Sequence, residues 1–103
     1  MELLTKEIRE KFKKVGSQEK KELGEQIVVV KFFDPTGSWT WYATEFDGKD
    51  IFFGLVDGFE LEWGPFSLSE MQSVKGRFGL GIERDRYFGM PMIKDIERLK
   101  ERV

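Results

Sequence analysis

Six carboxylates in this chain are of a type and spacing that could hold a divalent cation: Glu45, Asp57, Glu60, Glu62, Glu83 and Asp85. Hard oxygen ligands suffice for Mg²⁺. A Mg²⁺ site beside a cation such as Arg84 or Lys31 could hydrolyse a nucleotide or phosphodiester. No spacing among the six is diagnostic, because alternating Glu60 and Glu62 also describe any solvated strand face. The rest of the catalytic repertoire is narrow. The chain has no histidine and no cysteine, which removes the commonest general base, thiol nucleophiles, zinc–thiolate sites and disulfides. The run Gly76-Arg77-Phe78-Gly79-Leu80-Gly81 lacks the lysine–serine/threonine ending of a P-loop and does not follow the dinucleotide fingerprint. The residues therefore assign no catalytic group, metal ligand or cofactor.

The same stretch supports recognition better than reaction. Residues 32–70 carry one lysine against eight carboxylates, a balance of −7, between flanks of +2 (residues 1–31) and +3 (residues 71–103). Such a block either complements basic segments of its own chain or offers an acidic surface to a basic partner or a divalent ion. The candidate binding residues are Trp39, Trp41, Glu45, Glu60, Glu62, Glu83, Arg84 and Asp85, expected to converge beside the 34–39 turn. Trp39 and Trp41 are expected on one strand face with Glu45, and Glu83 and Asp85 are expected to project together. Apolar area beside charge is the mixture that protein–protein hot spots use, so a protein partner is favoured, although alternation alone leaves the two tryptophans assignable to core or surface. Nucleic acid is the weaker alternative: Lys13, Lys14, Lys20, Lys21, Arg77, Arg84 and Arg86 would contact phosphates while Trp39 or Trp41 stacks on bases. An acidic pI near 5.3 opposes it.

These residues are positioned by a predicted three-stranded meander, Trp39 to Trp63. Trp39, Trp41 and Ala43 alternate with Thr40, Tyr42 and Thr44, the period of a strand. Asp47-Gly48 and Asp57-Gly58 are hairpin signals, and the apolar run Ile51 to Val56 between them reads as a buried central strand. Phe59, Leu61 and Trp63 then alternate with Glu60 and Glu62, and Gly64-Pro65 is expected to end that strand. Upstream, Ile27 to Phe33 is β-branched and apolar except for Lys31, and Asp34-Pro35-Thr36-Gly37-Ser38 is turn chemistry. Predicted strands thus lie near 26–33, 39–47, 50–57, 59–63 and 82–88.

Helices frame the sheet. Leu4, Ile8, Phe12 and Val15 form an apolar stripe over 3–15, with Glu7–Lys11 and Glu10–Lys14 as i,i+4 pairs and Gly16 as the stop. Ser67, with Glu70 three residues on, is a capping-box signature for a short helix to about Val74, with Phe66 and Met71 as its staple. Pro91 opens a last helix, with Met92, Ile93, Ile96, Leu99 and Val103 at helical spacing. The expected fold is α+β: a single domain over residues 1–103, with an antiparallel sheet of four to five strands and the N- and C-terminal helices packed on one face. At 103 residues the chain can bury roughly two thirds of its unfolded surface. No apolar run approaches the roughly 20 residues of a membrane span and no signal-peptide core is present, so a cytoplasmic location is expected.

Taken together, LLTKEI near the start, VVVKFFDPTGSWTWYATEFDG, IFFGLVDGFELEWGPFSLSEM and GLGIERDRYF resemble, in order, the domain of unknown function 2958 family. The resemblance covers about nine tenths of the chain, and WTWY, FFGLV, FSLSE and IERD are its specific motifs. After FGLVDG the family often has tyrosine where this chain has Trp63 or Pro65. The resemblance implies a setting, a short product of a plasmid, conjugative element or phage, sometimes beside antirestriction-type domains. It implies no activity for any individual residue. The function expected is that of a small non-catalytic interaction protein of a mobile element, counteracting a host defence by binding a protein component.

Overall fold

The computed structural model describes residues 1–76 and 79–103. Five strands form one antiparallel sheet: β1 (Val30–Phe33), β2 (Thr40–Phe46), β3 (Ile51–Asp57), β4 (Leu61–Ser67) and β5 (Glu83–Arg84), in the order β4-β3-β2-β1-β5. The predicted α+β class and the meander are as found. Helix α1 spans Lys6–Val15, and helix α2 spans Leu68–Ser73.

Register decides what each face carries. Arg84, Phe32, Trp41, Val56 and Glu62 stand in one cross-strand row. On that face, Ile8 and Phe12 of α1 and Met71 of α2 pack with Val30, Phe32, Ala43 and Phe52 in the larger core. Aromatic rings knit it: Phe12 lies 5.8 Å from both Phe46 and Phe52, and Phe52 lies 5.4 Å from Phe66. The other face carries Tyr42, Leu55 and Leu61, which form a second core with Val28, Ile93 and Leu99.

That second core corrects the expectation of two terminal helices on one face. The C-terminal segment is not an α-helix but two 3-10 segments, Ile93–Asp95 and Glu97–Arg102, and it lies across the sheet from α1. Ile93 and Leu99 are buried, one in each segment, and Ile96, extended between the two, packs beside them. Asp57 locks the segment down, with Arg98 donating from Nε to Oδ2 and from Nη2 to Oδ1, both at 2.9 Å. The Tyr42 phenol in this core is raised above its ordinary value of 10.0, by burial first and by Asp57 second, with Arg98 opposing.

Strand limits also differ from expectation. β4 runs on through Gly64 and Pro65, with Pro65 opposite Phe53. Because β4 is an edge strand, a proline without an N–H can occupy it with no loss to the ladder. β5 ends after two residues, since the Asp85 carboxylate accepts the Tyr87 amide at 3.0 Å and turns the chain. The stretch expected to begin β1 instead bridges Ile27 to Met92, with Val28 N donating to Pro91 O at 2.9 Å. α1 begins at Lys6 rather than Leu3, because the Thr5 hydroxyl accepts the Ile8 amide at 3.1 Å. On its surface the Glu7–Lys11 pair forms, but Glu10 pairs with Lys13 rather than Lys14.

α2 starts where its sequence signature places it. Ser67 Oγ accepts the Glu70 amide at 3.2 Å. In place of a Glu70 side chain reaching back to the Ser67 amide, Asp50 accepts the Ser69 amide and the Ser69 and Ser67 hydroxyls at 2.9, 2.9 and 2.6 Å. The Ser67 hydroxyl above all, then the Ser69 amide, hold the Asp50 carboxyl below 3.8. Ser67→Ala should therefore lower stability by about 1 kcal/mol at neutral pH through loss of the cap. A folded-state value depressed below the unfolded one contributes stability above 3.8 that is lost as pH falls through the folded value. The gap between wild type and variant should accordingly narrow below that pH. Denaturation curves that superimpose at pH 7 would show that the helix begins elsewhere.

Candidate functional site

Strand order splits the expected binding set. Glu62 lies on β4 at one edge of the sheet, while Glu83 and Arg84 form β5 at the other. Four inter-strand steps separate those edges, roughly 19 Å, so the expected convergence is not formed. Glu83 and Asp85 do line one recess, with Lys31 and Phe33, but at the β5 edge and away from Glu60 and Glu62.

The β5 residues serve the fold. The Arg84 guanidinium donates to the carbonyls of Glu2 and Leu3, which ties the N-terminal segment over the core. Asp85 pairs with Lys31 at 3.8 Å, and the Lys31 ammonium lies 5.9 and 5.7 Å from the ring centroids of Tyr42 and Phe88. Lys31 thus meets Asp85 rather than a carboxylate of the meander. Arg77, one of the candidate phosphate contacts, lies outside the described residues.

Most of the acidic block is also held internally. A β-bulge between Ala43 and Glu45 breaks the alternation of β2 and removes Glu45 from the Trp39–Trp41 row, so the three do not share a face as expected. Glu45 instead accepts the Gln18 amide at 3.2 Å. Asp47 Oδ1 accepts the amides of Lys49, Asp50 and Ile51 at 2.7, 2.9 and 3.1 Å. The first two of these hold its carboxyl below 3.8. Asp50 caps α2 and Asp57 is forked on Arg98, and the six carboxylates first considered for a cation do not gather at one place. Among the described residues, no three acidic side chains come together as a ligand set.

Two carboxylates of the meander remain uncommitted and sit together. Glu60 and Glu62 are exposed, and neither joins an ion pair among the described residues. Beside them is an aromatic corner. Trp39 lies 6.1 Å from Trp41 and 5.3 Å from Phe59, the latter edge-on at 82°. Both tryptophans are half-buried, so they are neither sealed in the core nor free. Phe59, by contrast, is 95% exposed. A recess of ≈ 470 Å³ is lined by Trp39, Val56, Gly58, Phe59, Glu60 and Glu62.

Gly58 makes the corner possible, though not by way of turn dihedrals. A methyl group there would lie 2.6 Å from the Cη2 and Cζ3 atoms of Trp39, so the indole rests on the glycine itself. Phe59 departs from its local pattern. Alternation assigns it to β4 with Leu61 and Trp63, whereas the strand begins at Leu61 and leaves Phe59 in the turn. The signal available was the Asp57-Gly58 pair immediately before it.

The fold and this site define a small α+β protein, an open five-stranded antiparallel sheet with an aromatic–acidic corner at one end. Residues 3–94 match the family described as "Protein of unknown function (DUF2958)", and the chain belongs to that family. Comparisons with curated proteins and with solved structures return no match. No helix among the described residues is long and apolar enough to cross a membrane.

Proposed function

We propose that this protein is a small non-catalytic interaction protein that binds a protein partner through the corner of Trp39, Phe59, Glu60 and Glu62. The observation that carries the reading is Phe59, a phenylalanine 95% exposed that braces a half-buried tryptophan beside two uncommitted carboxylates. Burying a side chain of that kind contributes about 1.5–3 kcal/mol, and the fold of this chain does not use it. The dispersal of the other carboxylates into caps, turns and ion pairs supports binding over chemistry. In keeping with the resemblance to plasmid, conjugative-element and phage proteins, the partner proposed is a component of a host defence that this protein blunts.

The test is capture of a partner from host lysate with and without the corner. The double variant Glu60→Lys/Glu62→Lys should fold as wild type does, since exposed substitutions of this kind usually lie within about 0.5 kcal/mol. It should lose whatever wild type retains. Charge reversal at Glu7 and Lys11 on α1 should leave retention unchanged. Retention of the same partner by the folded double variant would place the interface elsewhere.

A further inference from the structure

We infer that the corner receives an arginine-bearing segment of a basic partner, an inference that rests on the partner-binding reading above and specifies its chemistry. Two features select the guanidinium. Trp39 and Phe59 stand at 82° to each other and both line one recess, and Phe59, 95% exposed, leaves a ring face open. A flat cation can stack on such a face, attracted by the ring quadrupole. Glu60 and Glu62 line the same recess, and a carboxylate takes a guanidinium through two parallel hydrogen bonds.

Other occupants meet that site less well. A nucleic acid would bring phosphates against two carboxylates. An uncharged apolar ligand would desolvate both carboxylates with nothing to pair them, which is unfavourable. Lysine carries the charge but is a compact, strongly hydrated ammonium without the planar fork.

Charge elsewhere on the chain points the same way. Two cations of the fold already have partners, since Arg98 is held by Asp57 and Glu101 and Lys31 by Asp85. Glu62 stands at the far end of its cross-strand row from Arg84. With no ion-pair partner among the described residues, Glu60 and Glu62 are open to a cation from a second molecule.

The experiment titrates the full chain with three peptides, tetra-arginine, tetra-lysine and tetra-glutamate, following the indole N–H resonances by NMR. Tetra-arginine should shift the Trp39 indole signal, and tetra-lysine should bind about fivefold or more weakly. Tetra-glutamate should not bind. Phe59→Ala removes an aromatic wall without touching charge, and should weaken tetra-arginine about fivefold. Glu60→Gln/Glu62→Gln should abolish the Trp39 shift. Equal binding of the two basic peptides, or a Phe59→Ala variant that binds as wild type does, would reduce the effect to diffuse attraction by an acidic surface and overturn the inference. A partner that is captured by wild type, lost by Glu60→Lys/Glu62→Lys, yet not displaced by tetra-arginine would overturn it while leaving the partner-binding reading intact.

Discussion

Gly54→Ala should cost about 3 kcal/mol or more, the largest effect of any single methyl group added to this protein. Gly54 sits in the middle of β3, paired with Ala43 on one side and Gly64 on the other. A methyl there would lie 1.8 Å from the Tyr42 carbonyl oxygen and 2.8 Å from its carbon. Those are backbone atoms of the neighbouring strand, so no rotamer change relieves the overlap. The two central strands would have to part where both cores depend on them. The bulge after Ala43 explains the close approach, because an extra residue bends its strand, and glycine inside a strand often marks such a place. Gly64 is the control in the same cross-strand row: a methyl there meets nothing within 4 Å. Gly64→Ala should lie within about 0.5 kcal/mol of wild type. Urea denaturation of both variants decides the matter, and a Gly54→Ala midpoint equal to that of Gly64→Ala would refute the account.

Gln18→Ala should be nearly as severe, at about 3 kcal/mol. Gln18 is wholly buried and its amide serves three backbone groups at once. Its Nε2 donates to the carbonyls of Ile27 at 2.9 Å and Thr44 at 2.8 Å, and its Oε1 accepts the Ile27 amide at 2.5 Å. The Thr44 carbonyl belongs to the residue skipped in the β2–β3 register, and Gln18 satisfies it. Removing the side chain strands these groups away from water, and each stranded group costs about 1–3 kcal/mol. Gln18→Glu keeps the size but loses both donors, so it should also destabilise. Hydrogen exchange gives the sharper reading: the Ile27 amide should lose protection in Gln18→Ala while the amides of α2, away from the bulge, keep theirs. Wild-type protection at Ile27 would mean that the loop holds its place without Gln18.

What could be read from the residues is what short-range geometry dictates. The stripe of Ile8 and Phe12, the stop at Gly16, the cap at Ser67 and the turn at Asp47-Gly48 each involve groups within a few positions of one another. Gly16 and Gly48 take the positive φ that these roles need. Gln18 was invisible for the opposite reason. In a polar stretch with no apolar period nothing distinguishes a buried glutamine from a solvated one, and its partners lie 9 and 26 residues away. The candidate site was legible in part: Trp39, Glu60 and Glu62 do meet. Glu83, Arg84 and Asp85 belong to the opposite edge, and nothing in their local pattern states which strand they will pair with.

The α+β class, the meander, both α-helices and an acidic, aromatic middle follow from local pattern, because periodicity, caps and turns act over a few residues. Packing across the sheet put Ile93 and Leu99 in two 3-10 segments beneath Tyr42 and Leu55. It also decided that most carboxylates would be held by amides, hydroxyls and Arg98, and that Phe59 would be left in solvent against Trp39. These outcomes depend on strand order, on one bulged residue in β2 and on which face of the sheet was already filled by α1. Each is set by contacts between residues far apart in the chain, whose cost in chain entropy is repaid only when the whole sheet assembles.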